Sequence, residues 1–320
     1  MIYFFSTRRG AVHTFDPFLK DWIEELQPDV ELVLYEELLI NPPKGDNTFI
    51  FTDIDRLNRY QRSILKLFVD QLVAAHPGCR IINHPEKVIT RFNLLRQLHK
   101  ENINEFNIYP ITELRNHIRF PVFLRNPNEH FGPFTELLDD FGDVRVEAYI
   151  LLMKGVIPSA ISAIEYCETK SPDGWYRKYS AFRFGETIIP AHINFGEHWI
   201  TKDGEITTEE MLQEKQAFTR DNPHADDLMK IFNMANIEYG RIDYAFKDGR
   251  MQIWEINTNP ILIKAKEEYD ATVLHIKEEL AVKIRAGLSA LNQQGEPVEG
   301  RLKLKFPAPP KLIKEADQLK

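Results

Sequence analysis

The sequence predicts a mixed α/β protein of two or three lobes, and three observations carry that prediction. Strand and helix patterns alternate over residues 1–85; a run of antiparallel hairpin signals follows further along; and 320 residues exceed one compact core. IYFFS (2–6), VELVLY (30–35), TFIFTDID (48–55) and CRIINHP (79–85) read as short apolar strands. Between them lie two helices, FDPFLKDWIEEL (15–26) with Pro17 in its first turn, and RYQRSILKLFVDQLVAAH (59–76). In the second, Ile64, Leu65, Phe68, Leu72 and Val73 share one face. Strands alternating with helices predict a parallel sheet with crossover helices.

PEKVITRFNLLRQLHKENI (85–103) reads as a helix opened by Pro85. The linker NEFNIYPITEL leads to strand FPVFLR (120–125) and a turn-rich loop, NPNEHFGP. DVRVEAYILLM (143–153) has the β-branched pattern of a strand. WYRKYSAFRFGETIIPAHINF (175–195) reads as two strands turning at Gly185-Glu186. MLQEKQAF and DDLMKIFNMANI are helical, and 264–292 is a long charged helix that either covers the fold or makes a dimer contact. The tail, 293–320, is expected to be a loosely docked extension rich in Pro and Lys.

A net charge of −8 and the absence of a Lys/Arg run argue against a nucleic-acid partner. No apolar segment reaches the roughly 18 residues that a membrane span needs. Cys79 and Cys167 stand apart without CxxC or CxxH spacing, so both are expected to be free, buried thiols in a cytoplasmic protein.

The chemistry concentrates in YGRIDYAFKDGRMQIWEINTNP (239–260). Asp248-Gly249 signals a turn. A three-residue loop would place Arg241, Asp243, Glu255 and Asn257 on one face, with Ile242, Tyr244, Phe246, Trp254 and Ile256 on the other. A two-residue loop would put Asp243 and Glu255 on opposite faces. The polar face suits solvent, or it suits a hard divalent cation held by carboxylate and amide oxygens.

GRIDYAF…WEINTNP resembles the metal-binding end of the ATP-grasp superfamily. The resemblance implies an ATP-grasp fold over 85–262, with a small central lobe at 118–155 and a C-terminal catalytic lobe at 156–262. An N-terminal Rossmann-like substrate domain would precede it (1–84), and a C-terminal helix and tail would follow (263–320). It implies ATP and one or two Mg²⁺ ions (or Mn²⁺), with Asp243, Glu255 and Asn257 as metal ligands. Arg125, at the end of FPVFLR, would meet the α and β phosphates. Glu147, Tyr149 and Ile150 in VEAYI would meet adenine, and Lys178 and Arg183 in YRKYSAFRF the γ-phosphate. Two departures stand out: Arg125 occupies a position where the family usually has Lys, and NPNEHFGP carries only Gly132 where the phosphate loop is usually glycine-rich.

Arg8 and Arg9 follow the first strand, where a parallel sheet binds anions, or they are simply solvated. His192, Asn194 and Asn259 are further candidates for substrate contact, and His192 with His198 offers too few ligands for zinc. The resemblance implies a ligase that activates a carboxylate as an acyl phosphate for attack by an amine. Small-molecule kinases and silent ATP-binding modules are the alternatives, and a homodimer is the commonest closed assembly for such a chain.

Overall fold

The structure, a computed structural model, describes residues 1–8, 16–22, 29–114, 117–129, 132–201, 208–269, 271–292, 302–307, 311 and 314. Its first sheet has the strand order β2-β1-β3-β4, all parallel: β1 (Ile2–Ser6), β2 (Val30–Leu34), β3 (Thr48–Phe51) and β4 (Arg80–Ile82). β3 is buried at every residue, as a central parallel strand covered on both faces must be. The helices here are α1 (Asp16–Trp22) and α2 (Arg59–Ala75). Asn58 and Gln61 close a reciprocal capping box at the start of α2. The buried stripe of α2 is Ser63, Leu65, Phe68, Val69 and Leu72. It is rotated from the expected one, leaving Val73 41% exposed.

The expected helix over 85–103 is shorter. α3 runs Arg91–Lys100 because Thr90, in extended conformation, is its N-cap, and 85–87 form a turn. The next sheet is antiparallel, in the order β5 (Ile108–Pro110), β7 (Ser162–Glu165), β6 (Val122–Arg125). Its strands run from residue 108 to 165, on both sides of the 118–155 segment.

Residues 143–153, expected as a strand, lie in helix α4 (Phe141–Met153). Asp140 accepts the Gly142 and Asp143 N–H groups at 2.6 and 3.0 Å and starts the helix. Val144, Ala148 and Leu151 then pack on Val122, Leu124 and Ala163. The β-branched, all-round apolar composition hid that 3.6-residue period.

The third sheet is antiparallel in the order β11-β10-β8-β9: β8 (Tyr176–Phe184), β9 (Thr187–Gly196), β10 (Tyr239–Lys247) and β11 (Arg250–Asn257). β8 and β9 turn at Gly185-Glu186 as the sequence predicts. Helices α5 (Glu209–Asp221) and α6 (Ala225–Ala235) lie between β9 and β10 in the chain. α7 (Ala271–Leu291) closes the fold. Its Leu280, Ile284 and Leu288 share one core with Ile2, Phe4 and Ile82 of the first sheet and Phe182, Phe184 and Ile189 of the third. One face of α7 thus packs on both sheets and covers the fold, tying the first sheet to the third. Of the tail, Leu302 and Leu304 pack on the core and Lys305 exchanges two hydrogen bonds with Gln71.

Candidate functional site

The β10–β11 hairpin turns through two residues, not three: Lys247 pairs with Arg250, and Asp248 and Gly249 both have positive φ (49° and 76°). Such a loop is the one expected for an Asp-Gly hairpin, and by itself it would separate the two carboxylates. A bulge between Asp243 and Tyr244 repairs the register, so that Tyr244 pairs with Ile253 while Asp243 pairs directly with Glu255. Trp254 is the residue left over. It turns from its expected apolar face to line the cavity, 5.1 Å from the Phe106 ring.

The register then continues across the sheet. Glu255, Asp243, Ser180 and His192 are successive partners on β11, β10, β8 and β9, and Asn194 lies opposite Lys178. Cross-strand partners share a face, so the sheet carries one polar row beginning at the two carboxylates. Asp243 accepts from Ser180 Oγ at 2.9 Å and Arg241 Nε at 3.0 Å, with Lys178 Nζ 3.9 Å away. Glu255 Oε2 meets Arg91 Nη2 at 2.6 Å and Arg125 Nη2 at 3.5 Å. Arg91 comes from the first turn of α3, and its side chain is fully buried. It also donates to the Glu129 carbonyl at 2.7 Å, drawing that residue toward the carboxylates.

Four cations thus surround two carboxylates. Burial, followed by the charge of Arg91, pushes Arg125 down to about 10, and Glu255 opposes that shift. Arg125 stays cationic near neutrality, in a site whose positive charge exceeds its negative charge.

Asp243, Glu255, Arg125 and Lys178 line one wall of a cavity of about 400 Å³ between the second and third sheets. Its other walls are aromatic. Phe123 and Trp199 lie 5.0 Å apart, and Trp199 and Tyr166 5.9 Å apart. Tyr166 and Cys167 follow directly on β7 and line the cavity with Glu165. Burial pushes the Cys167 thiol up to about 11, and both cysteines are free. A cleft of this size, apolar on one side and charged on the other, is built for a flat, anionic ligand.

Four expected residues fall elsewhere. Glu147, Tyr149 and Ile150 sit on α4 rather than on a strand beside the cavity, with Tyr149 68% exposed. The residues that line the cavity there are Glu165, Tyr166 and Cys167, at the end of β7 and after it. Arg183 leaves the site because of strand parity: it lies an odd number of positions, three and five, beyond Ser180 and Lys178, so it points to the opposite face. There its guanidinium donates to Gly185 O, Asn233 Oδ1 and Ile237 O at 2.6–2.9 Å.

Asn257 and Asn259 lie where the hairpin meets the first sheet. Asn257 Oδ1 accepts from Asn259 N at 2.8 Å, and Asn259 Nδ2 donates to Ser6 Oγ and Asp53 Oδ2, each at 3.1 Å. Asp53, fully buried with φ 54°, also accepts from Thr7 and Arg56. Arg56 in turn stands 3.6 Å from Glu129. This polar junction extends the site toward the carboxyl ends of β1 and β3. Arg8 is outside it, exposed and paired with Glu36 at 3.0 Å; Arg9 lies outside the described residues. Reading the sequence put Arg241 on the polar face without a role at the site, and missed Arg91, Arg56 and Asp53. The Arg-x-Asp spacing of 241–243 carried a usable signal, but nothing local marks Arg91.

Gly240 tunes the end of this row. A Cβ there would stand 2.8 Å from the Asn257 carbonyl oxygen, a backbone atom that cannot swing aside. Gly240→Ala is expected to displace the end of β11 and cost about 1–3 kcal/mol, measured by urea unfolding.

The donors expected to hold a metal, Asp243, Glu255 and Asn257, are two carboxylates and an amide. Among the described residues no group of three or more His, Cys, Asp or Glu side chains could hold an ion. That set fits magnesium carried in on phosphates, which needs only one or two protein carboxylates, and does not fit an all-protein cage.

No family model and no curated protein sequence matches the chain. Solved structures do. The D-alanine–D-alanine ligase of Bacillus anthracis in complex with ATP is similar at 14% identity and a TM-score of 0.50, over 91% of this chain and 98% of that one. A second structure of that ligase is similar at 12% identity and a TM-score of 0.50, covering 89% and 98%. A RimK domain ATP-grasp protein of Sphaerobacter thermophilus follows at 14% identity and a TM-score of 0.47, covering 90% and 100%. The chain has the ATP-grasp fold, an α/β architecture with a parallel-sheet unit at its N-terminus.

Proposed function

We propose that the protein is an Mg²⁺- and ATP-dependent ligase that joins a carboxylate to an amine. One observation carries the reading: Asp243 and Glu255 are direct cross-strand partners on the wall of an aromatic cavity, ringed by Arg91, Arg125, Arg241 and Lys178. The base lies against Phe123, Tyr166, Trp199 and Trp254, with the backbone of Glu165–Cys167 at its edge. Arg91, Arg125 and Lys178 hold the phosphates, and Arg fork geometry suits two oxygens at once. Asp243, Glu255 and Asn257 would hold magnesium, which would supply positive charge to offset that of the phosphates.

The acceptor side is the polar row beyond Asp243. Arg241 and His192, with Asn194 and Asn259, orient a substrate carboxylate, whose oxygen attacks the γ-phosphorus as the bond to ADP breaks. An amine then attacks the acyl carbon; phosphate leaves and the amine gives up a proton. The chain's contribution is positioning and fixed charge. The similar D-alanine–D-alanine ligase structures support the reading through their fold.

Hydroxylamine trapping tests it. Incubation with ATP, Mg²⁺, pooled carboxylates and hydroxylamine should give hydroxamate and ADP in equal amounts. ADP with a stable phosphorylated alcohol would show a kinase instead, and no ADP from any pool would remove the enzymatic reading.

A further inference from the structure

A second cavity, of about 690 Å³, opens on the other face of the third sheet, where the N-terminal unit meets the catalytic lobe. One wall is apolar, formed by Val69 and Val73 of α2 with Ile81 and Ile237. The opposite side carries charge of both signs. Arg183 lines it with a side chain only 3% exposed. Its three close hydrogen-bond partners are all neutral oxygens, and the nearest carboxylate oxygen, on Glu186, is 3.8 Å away on a side chain 88% exposed.

A buried guanidinium whose close partners are all neutral oxygens, with the Glu186 and Glu238 carboxylates acting only at longer range, favours an anion in the space beside it. Lys87 lines the same space and makes no ion pair among the described residues. His84 adds a donor: its Nδ1 accepts the Glu86 N–H at 3.2 Å, which places the ring proton of the neutral imidazole on Nε2.

The lining also holds two acids. Asp70 is paired with Lys66 at 2.7 Å, which leaves Glu238 as the negative pole. Two cations, one carboxylate and an aliphatic wall are complementary to a zwitterion with an apolar side chain, and less so to a simple anion, which Glu238 repels.

We propose that this cavity binds a free α-amino acid with an apolar side chain, its carboxylate against Lys87 and Arg183, its ammonium against Glu238. The inference stands apart from the ligase reading, because none of these residues lines the first cavity.

Calorimetric titration of L-leucine into the full chain tests it. Lys87→Met and Val73→Trp, both surface-tolerant changes, are expected to weaken binding by about tenfold or more, the second by filling the cavity. Asp243→Asn is expected to leave leucine binding intact, and Lys87→Met to leave Mg-ATP binding intact. 4-Methylpentanoate and 3-methylbutylamine, each lacking one charge, should bind about tenfold or more weakly than leucine. The proposal is overturned if leucine gives no binding at millimolar concentration. It is equally overturned if binding ignores Lys87 and Val73, is lost only in Asp243→Asn, or is matched by 4-methylpentanoate.

Discussion

Glu255→Gln is expected to reduce ATP turnover by about 10³-fold or more while the protein still folds. Replacing a carboxylate by an amide keeps the shape of the side chain and removes the charge that magnesium requires. It also removes the counter-charge of Arg91 and Arg125, which stand 2.6 and 3.5 Å from Glu255 Oε2. Two guanidiniums then face one another without the group between them. The variant should therefore bind free polyphosphate at least as well as wild type while losing Mg²⁺-dependent turnover. That split, measured by steady-state ADP formation and by tripolyphosphate titration, separates a lost metal ligand from general damage. Equal loss of both would assign Glu255 a scaffolding role only.

Arg91→Met is expected to lower stability by about 3 kcal/mol, the largest effect of any single change outside the apolar core. The Arg91 side chain is fully buried, with one nitrogen on Glu255 and another on the Glu129 carbonyl. Truncation leaves a carboxylate in a cleft that other charges solvate poorly. A double-mutant cycle with Glu255→Gln sharpens the test, because each single change strands the other's charge and the double change strands neither. The double variant should be more stable than the sum of the singles by about 1–3 kcal/mol in urea unfolding. Additive losses would mean that the pair carries no coupling and that Arg91 acts through packing.

The Glu255 and Arg91 cases mark how far local sequence reaches. Strand alternation and the Asp-Gly turn placed Asp243, Glu255 and Asn257 on one polar face, and the structure pairs the first two directly. The route differs: the loop is a residue shorter than the favourable case and a bulge at Asp243/Tyr244 compensates. Bulges leave little trace in a single sequence, since they depend on what the neighbouring strand offers.

Arg183 shows a different limit. Its strand was legible and its parity could have been counted, yet its chemistry drew it into the site. α4 was misread because Val144, Val146 and Ile150 suit a strand as well as a helix. Its exposed Val146, Tyr149 and Met153 also blur the helical period that its buried face keeps. Arg91, Arg56 and Asp53 were illegible for a third reason. Arg91 reaches Glu255 from α3, while Asp53 meets Asn259 and Arg56 meets Glu129 from the end of the first sheet, and no local pattern encodes a tertiary meeting.

The central claim is that the aromatic cavity and the Asp243–Glu255 pair form one site for a nucleotide carried with magnesium. Titrating ATP into the wild-type chain and into Asp243→Asn, each with and without Mg²⁺, tests it most directly. The account predicts wild-type binding that tightens about tenfold or more when Mg²⁺ is present, and an Asp243→Asn variant in which that gain disappears. ATP binding that is unchanged by Mg²⁺ in the wild type, or a gain that survives Asp243→Asn, would contradict it.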